Sequence, residues 1–225
     1  MPRPRQKSRP ADNLATLTRR IGTDRHHNPS QFYRTPPEAA IAFLNREARR
    51  IRFLSSRVAE VASGEGDLAR VIARYGFDVA GSDIRRGAEI YGRKGVDFLK
   101  TKRLRAPVII TNPPFGALAA AFIRHAKRLG ALYMALLLPS GFFQGADDNI
   151  AVWRELPATR IWPIGFRLDF TRAGKALPQA FSWFVWDWTG IERRHDPRPP
   201  RRAFGEAVAD LMPALVKPTR IEVPA

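Results

Sequence analysis

Between Arg57 and Leu138 the chain alternates short apolar runs with segments of helical periodicity, and the first three apolar runs end at a glycine, an acid or an asparagine. Arg57 to Ala62 reads as a strand that stops at the turn Ser63, Gly64, Glu65, Gly66. Asp67 is placed to cap a helix with Leu68, Val71, Ile72 and Tyr75 along one side, and Gly76 closes it. Phe77 to Asp83 is the next strand, and Pro107 to Asn112 the third. Ala117 to Leu129 is a helix, followed by Leu132 to Leu138, apolar enough to be covered on both faces. Upstream, Pro36 and Pro37 followed by Glu38 and an apolar run predict a proline-started helix with an acidic first turn. This alternation is met by a parallel sheet with helices on both faces, because a parallel crossover needs a helix-length connection. Ligands in such sheets bind beyond the carboxyl ends of the strands.

The strand tips carry the chemistry. Gly64 and Gly66, after Glu60, would let the backbone come close to a ligand, since neither has a Cβ. The loop lacks the Gly-Lys-Ser/Thr ending of a phosphate cradle, while alanine at position 69 leaves a dinucleotide reading open. Asp83, at the next tip, can accept hydrogen bonds from both ribose hydroxyls of an adenosine. Asp97 can accept from an adenine amino group beside the apolar wall of Phe98. At the third tip, Asn112 is followed by Pro113, Pro114 and Phe115. Two prolines make a rigid extended turn that holds the asparagine side chain at the sheet edge. An aromatic exocyclic amine is a poor nucleophile because its lone pair is delocalised into the ring. The Asn112 side-chain carbonyl and the Pro113 backbone carbonyl could accept its two hydrogens and free that lone pair to attack a methyl sulfonium, with Phe115 stacked on the base.

The run Asn112 to Phe115 resembles the Asn/Asp-Pro-Pro-Tyr/Phe motif of class I amino methyltransferases, most closely DNA adenine-N6 enzymes, and downstream Leu138 to Phe143 and Gln179 to Trp186 resemble the small stand-alone enzymes of phages and prophages. Tyr33, Thr35 and Pro36 resemble the Phe-x-Thr-Pro motif of those DNA enzymes, with tyrosine for phenylalanine. Glu60, Gly64 and Gly66 match their acid-x-x-x-Gly-x-Gly motif, which lies against the methionine moiety in the family. Asp83 and Asp97 fall where its ribose- and adenine-binding acids do. The likeness runs from about residue 32 to 187. It implies a Rossmann-like fold with a mostly parallel seven-stranded sheet, S-adenosyl-L-methionine as cofactor, and transfer to adenine N6 in a flipped base. It also implies a target-recognition element. Only Gly141 to Thr159, Arg167 to Leu177 and the chain ends leave room for one. RNA amino methylation uses a similar turn and is the alternative, ahead of glutamine methylation of a release factor. A catalytically inactive nucleic-acid-binding or anti-restriction protein is the reading from outside enzymes.

A formal net charge of +17 over 225 residues favours a polyanionic partner, through release of the counterions condensed on phosphates. Basic and proline-rich residues gather in a flexible arm at 1–30 and an extension at 191–225, where Phe204 to Val216 could form a helix. The methyltransferase domain is expected over 31–190. Without cysteine there is no thiolate metal site, cysteine nucleophile or disulfide. No metal site, membrane span or signal peptide is expected, and the cytoplasm is the expected location. Trp183, Phe184, Trp186 and Trp188 could form a base-stacking platform, but their spacing in a strand favours core packing for at least half of them. His125 reads as a packed helix residue, and His26 and His27 as phosphate contacts at most. Lys175 and Arg167, flanking Asp169, are equally readable as DNA contacts or as a solvated loop.

Overall fold

Pro36 and Pro37 start a helix because neither needs the amide hydrogen that the first turn leaves unpaired. In the computed structural model, which describes residues 33–144, 147–170 and 178–190, Pro36 is the N-cap and α1 spans Pro37–Leu54. The expected basic arm, the C-terminal extension with its helix, His26, His27 and Lys175 lie outside the described residues. After α1 come β1 (Arg57–Glu60), α2 (Asp67–Arg74), β2 (Asp78–Asp83) and β3 (Arg93–Lys94). They are followed by β4 (Val108–Thr111), α3 (Ala117–Arg128), β5 (Tyr133–Pro139), α4 (Asp147–Glu155), β6 (Arg160–Pro163) and β7 (Phe181–Asp187).

The seven strands lie in the order β3-β2-β1-β4-β5-β7-β6. β7 runs against its neighbours, antiparallel to both β5 and β6. The chain moves outward from β1 to β2 and β3, then returns past β1 to start β4, so connections diverge between β1 and β4. A crevice opens at such a switch point. The expected strands and helices are present, with three additions: the two-residue edge strand β3, the helix α4 and the strand β6. None is long or periodic enough to announce itself in the sequence.

The cap of α2 differs from expectation. Gly66, at φ 89°, is the N-cap and Asp67 is the first helical residue. A left-handed cap suits glycine and leaves Asp67 to complement the positive end of the helix. Within 141–159, one of the places with room for a recognition element, the chain is partly helical. It forms a short 3-10 turn (Phe142–Gln144) and α4, which buries Val152 and Trp153.

β7 supplies the densest packing. Trp183, Phe184 and Trp186 are fully buried. The Trp183 ring stacks on Phe43 at 4.5 Å and its N–H donates to the Ala39 carbonyl, while the Trp186 N–H donates to Leu156. These three are core residues, with the indole N–H groups satisfied inside the protein. Beside them Glu47, buried on α1, accepts from Arg160 (2.8 and 3.0 Å), Tyr133 (3.0 Å) and Trp162 (2.8 Å). Asp187 pairs with Arg50 at 2.8 Å. Burial and the neighbouring Glu47 push the Tyr133 hydroxyl well above its ordinary range. A buried carboxylate so fully hydrogen-bonded is strongly coupled to its partners, so Glu47→Ala, which removes the closest carboxylate of the buried Arg160 and leaves it Asp187 at 3.8 Å, should cost roughly 3–5 kcal/mol by urea unfolding.

Candidate active site

Four chain segments converge above the switch point. Tyr33 to Thr35, the β1 tip at Glu60 to Ser63, the β2 tip at Asp83 to Arg85 and the β4 tip at Asn112 to Pro114 enclose a cavity of about 1140 Å³, counting its open mouth. Val96 to Leu99 closes one side, with Leu118 and Phe122 of α3.

Thr111, the last residue of β4, donates its hydroxyl to Glu60 Oε1 across the gap between β4 and β1, and the Ala62 N–H reaches the same oxygen at 3.3 Å. The other oxygen, Glu60 Oε2, is buried and has no partner in the protein. Burial pushes the Glu60 carboxyl up to about 8, with Asp83 adding repulsion, against the lowering by its hydrogen bonds from Thr111 and Ala62. At neutral pH it is mostly protonated.

Asn112, one residue further, donates from Nδ2 to the Tyr33 carbonyl (3.3 Å) and the Thr35 hydroxyl (3.2 Å). The Tyr33 carbonyl can only accept, which fixes which way round the amide sits. Asn112 Oδ1 is left buried without a protein partner. The residues singled out at 33–36 therefore meet the β4 turn directly, and Pro36 holds them at the head of α1.

Asp83 Oδ2 accepts from the Gly64 N–H at 2.8 Å, and Oδ1 accepts from the Arg85 N–H at 2.8 Å. Asp97 accepts from the Leu99 N–H at 3.0 Å, turning the chain so that Phe98 is packed beneath the cavity against Phe122. Asp83, Asp97 and Phe98 all line the cavity.

Three residues are placed differently from the simplest expectation. Phe115 is buried, stacked on Tyr33 at 5.4 Å with Phe170 and Phe181 around it, and Tyr33 is the ring that lines the cavity. The space left by the missing Cβ of Gly66 is filled by the Tyr91 ring, which a Cβ would meet at 2.7 Å. Gly64 donates inward to Asp83 instead of facing outward. The glycines shape the loop and admit Tyr91. His125 is buried on α3 against Phe98, and burial, then the Arg128 charge, lower its basicity.

Other residues of the site gave no sequence signal. Tyr91 braces the glycine loop, its backbone N–H donating to Gly64 and its carbonyl accepting from the Ser63 hydroxyl. Arg34 lines the cavity and pairs with Glu65. A lone tyrosine among glycines and the variable position of a short motif look like any surface residue. Among the described residues no cluster of His, Asp and Glu is arranged to hold a metal ion, and no helix is long and apolar enough to cross a membrane.

No family model matches the sequence, and no curated protein matches it. Solved structures do. A Listeria monocytogenes protein assigned as a class I S-adenosylmethionine-dependent methyltransferase is 17% identical, with a TM-score of 0.50 over 75% of this chain. A Pyrococcus horikoshii protein assigned as an RNA methyltransferase is 14% identical, with a TM-score of 0.53 over 77% of this chain and 96% of its own. A Vibrio vulnificus protein assigned as a modification subunit of a type I restriction enzyme is 15% identical, with a TM-score of 0.50 over 77% of this chain. The fold is that of class I methyltransferases. The chain spans 64% of the length of the Listeria protein and 47% of that of the Vibrio protein.

In this fold the buried acid at the β1 tip has a testable signature. Native Glu60 keeps a proton that the unfolded chain gives up above about pH 4.5, so its burial lowers stability as pH rises from there to about 8. Glu60→Gln should gain on the natural chain by roughly 4–5 kcal/mol across that window and level off above it, read by urea unfolding. A difference independent of pH would mean that Glu60 is ionised in the folded protein.

Proposed function

We propose that this protein transfers a methyl group from S-adenosyl-L-methionine to the exocyclic amino nitrogen of adenine in DNA, with the base turned out of the duplex into the cavity. The observation that carries this reading is the Asn112 amide. Its nitrogen is committed to Tyr33 and Thr35, and its oxygen is buried and unpartnered at the cavity wall.

The cavity suits the cofactor. Asp83 Oδ1 accepts from both the Arg85 N–H and its Nε at 3.2 Å, so the carboxylate keeps one lone pair, on Oδ2, for a ribose hydroxyl while it holds Gly64. Asp97 and Phe98 offer an acceptor and an apolar wall for the adenine of the cofactor. Glu60, with its unpartnered Oε2, and Tyr33 to Thr35 line the same cavity and would face the methionine moiety, with Gly64 and Gly66 shaping the loop behind them. The cofactor supplies an electrophilic methyl group on a sulfonium.

The chain itself activates the acceptor. Asn112 Oδ1 and the Pro113 carbonyl accept hydrogen bonds from the two amino hydrogens and draw the nitrogen out of conjugation, so its lone pair points at the methyl carbon. As the N–CH3 bond forms, the S–CH3 bond breaks to leave a neutral thioether, and the surplus amino proton passes to water. Pro113 and Pro114 prevent the turn from yielding. Tyr33 offers a ring to the planar base, and Phe115 supports that ring from behind. The likeness in fold to a modification subunit of a restriction enzyme agrees with DNA as substrate. The basic segments 1–30 and 191–225 would add phosphate contacts.

Incubation with methyl-labelled cofactor should label duplex DNA, and digestion should release N6-methyladenine. Label confined to RNA would overturn the DNA assignment. Asn112→Ala should lower turnover roughly 10²–10³-fold, as for loss of one polar group placed at a transition state, and leave cofactor affinity within about twofold. Asp83→Ala should weaken cofactor binding about tenfold to a hundredfold by calorimetry. Unchanged affinity would remove Asp83 from the cofactor site.

A further inference from the structure

The basic residues within the fold are not spread evenly. Residues 84–105, which run from the β2 tip through β3 to the start of β4, carry eight basic side chains and two acidic ones. On the other side of the sheet, residues 141–159 carry one basic and three acidic side chains. Four of those eight basic side chains, Lys100, Lys102, Arg103 and Arg105, lead into the start of β4 and Arg85 pairs with Asp83, which leaves Arg86, Arg93 and Lys94 as the basic cluster at the β3 edge.

Arg86, Arg93 and Lys94 are exposed, and none is ion-paired with another described residue. Like charges without counter-charges repel one another and are held together here by backbone structure. Lys94 stands in register with Asp83 and Arg93 with Ser82, so both lie at the carboxyl ends of the strands, on the side where the cavity opens. Gly95 donates to the Arg85 carbonyl and Val96 to that of Asp83, fixing the segment to the β2 tip. The Arg86 guanidinium lies against Gly95, where a Cβ would meet it at 2.7 Å. β3 is three strand spacings from β4, roughly 14 Å at about 4.8 Å each. That is close to the roughly 12 Å across a major groove.

We propose that the β3 edge, through Arg86, Arg93 and Lys94, is a docking surface for the phosphate backbone of duplex DNA. It engages the duplex while the target base sits at Asn112. The inference rests on the nucleic-acid reading of the site. It assigns the duplex to the cofactor side of the sheet, an approach that requires no separate recognition domain.

The test is binding of the full chain to a fluorescein-labelled DNA duplex, and to an RNA duplex of equal length, over a salt series. Arg86→Gln/Arg93→Gln/Lys94→Gln should weaken DNA binding about tenfold at fixed salt. It should also flatten the slope of log affinity against log salt by about 2–3, near 0.9 for each phosphate that is no longer neutralised. Removing the same charge from the exposed Arg46, Arg49 and Arg74 of α1 and α2 should change neither by more than about twofold. Equal losses from both sets, no loss from the first, or a loss seen only with RNA would each overturn the proposal. If the triple variant unfolds, Arg93→Gln and Lys94→Gln singly should each show about a twofold to threefold loss, and no loss in either overturns it. N6-methyladenine formation, measured in parallel, separates the two claims. Product with unlocalised binding defeats the surface alone, and localised binding without product defeats the chemistry alone.

Discussion

The hydrogen bond between the Thr111 hydroxyl and Glu60 joins the tips of β4 and β1 where the connections of the sheet diverge. It lies beyond the last residues that the two strands pair, Ala59 and Ile109, and so holds the tips where the ladder has ended. Asn112 follows Thr111 directly, so the position of the amide depends on that bond. It is also made to a carboxyl that burial keeps largely protonated, which avoids a bare anion in the cavity wall. A neutral acid beside two ionisable ones, Asp83 and Asp97, gives the cavity graded acceptor strength in place of a single dense charge.

The second fixed point is α1, which is held at both ends by different chemistry. At its head, the Tyr33 carbonyl and Thr35 hydroxyl clamp the Asn112 amide. Further along, Glu47 and Arg50 are tied to Arg160 and Asp187 from β6 and β7. The helix therefore ties the Asn112 turn after β4 to the antiparallel part of the sheet. A shift of α1 would move the two acceptors of the amide together, which explains why a buried ion cluster far from the cavity bears on the site.

The residues from Ile84 to Arg105 serve two ends at once. Tyr91 fills the gaps left by Gly66 and Gly81 and ties down the glycine loop, while Arg86, Arg93 and Lys94 face solvent at the same edge. Because Arg85 and Gly64 both contact Asp83, the basic edge and the cavity share one rigid body. Charge at that edge is consequently placed and oriented, not merely present.

The sequence by itself determined the alternation of strand and helix, the proline start of α1, and the tips bearing Glu60, Asp83 and Asn112. These are local matters of periodicity, turn chemistry and residue type. It also marked Tyr33, Thr35 and Pro36, although only by resemblance, since nothing local shows that they lie against Asn112, far along the chain. Tertiary structure alone decided the rest. The two short strands β3 and β6 exist because neighbours pair with them. Phe115 turned inward because Tyr33, Phe170 and Phe181 surround it, and Gly66 serves Tyr91 because the segment after β2 folds back over the loop. The proton on Glu60 and the orientation of the Asn112 amide are likewise properties of burial and of distant partners. Residue type states what a group can do, and the fold decides which atoms are left to do it.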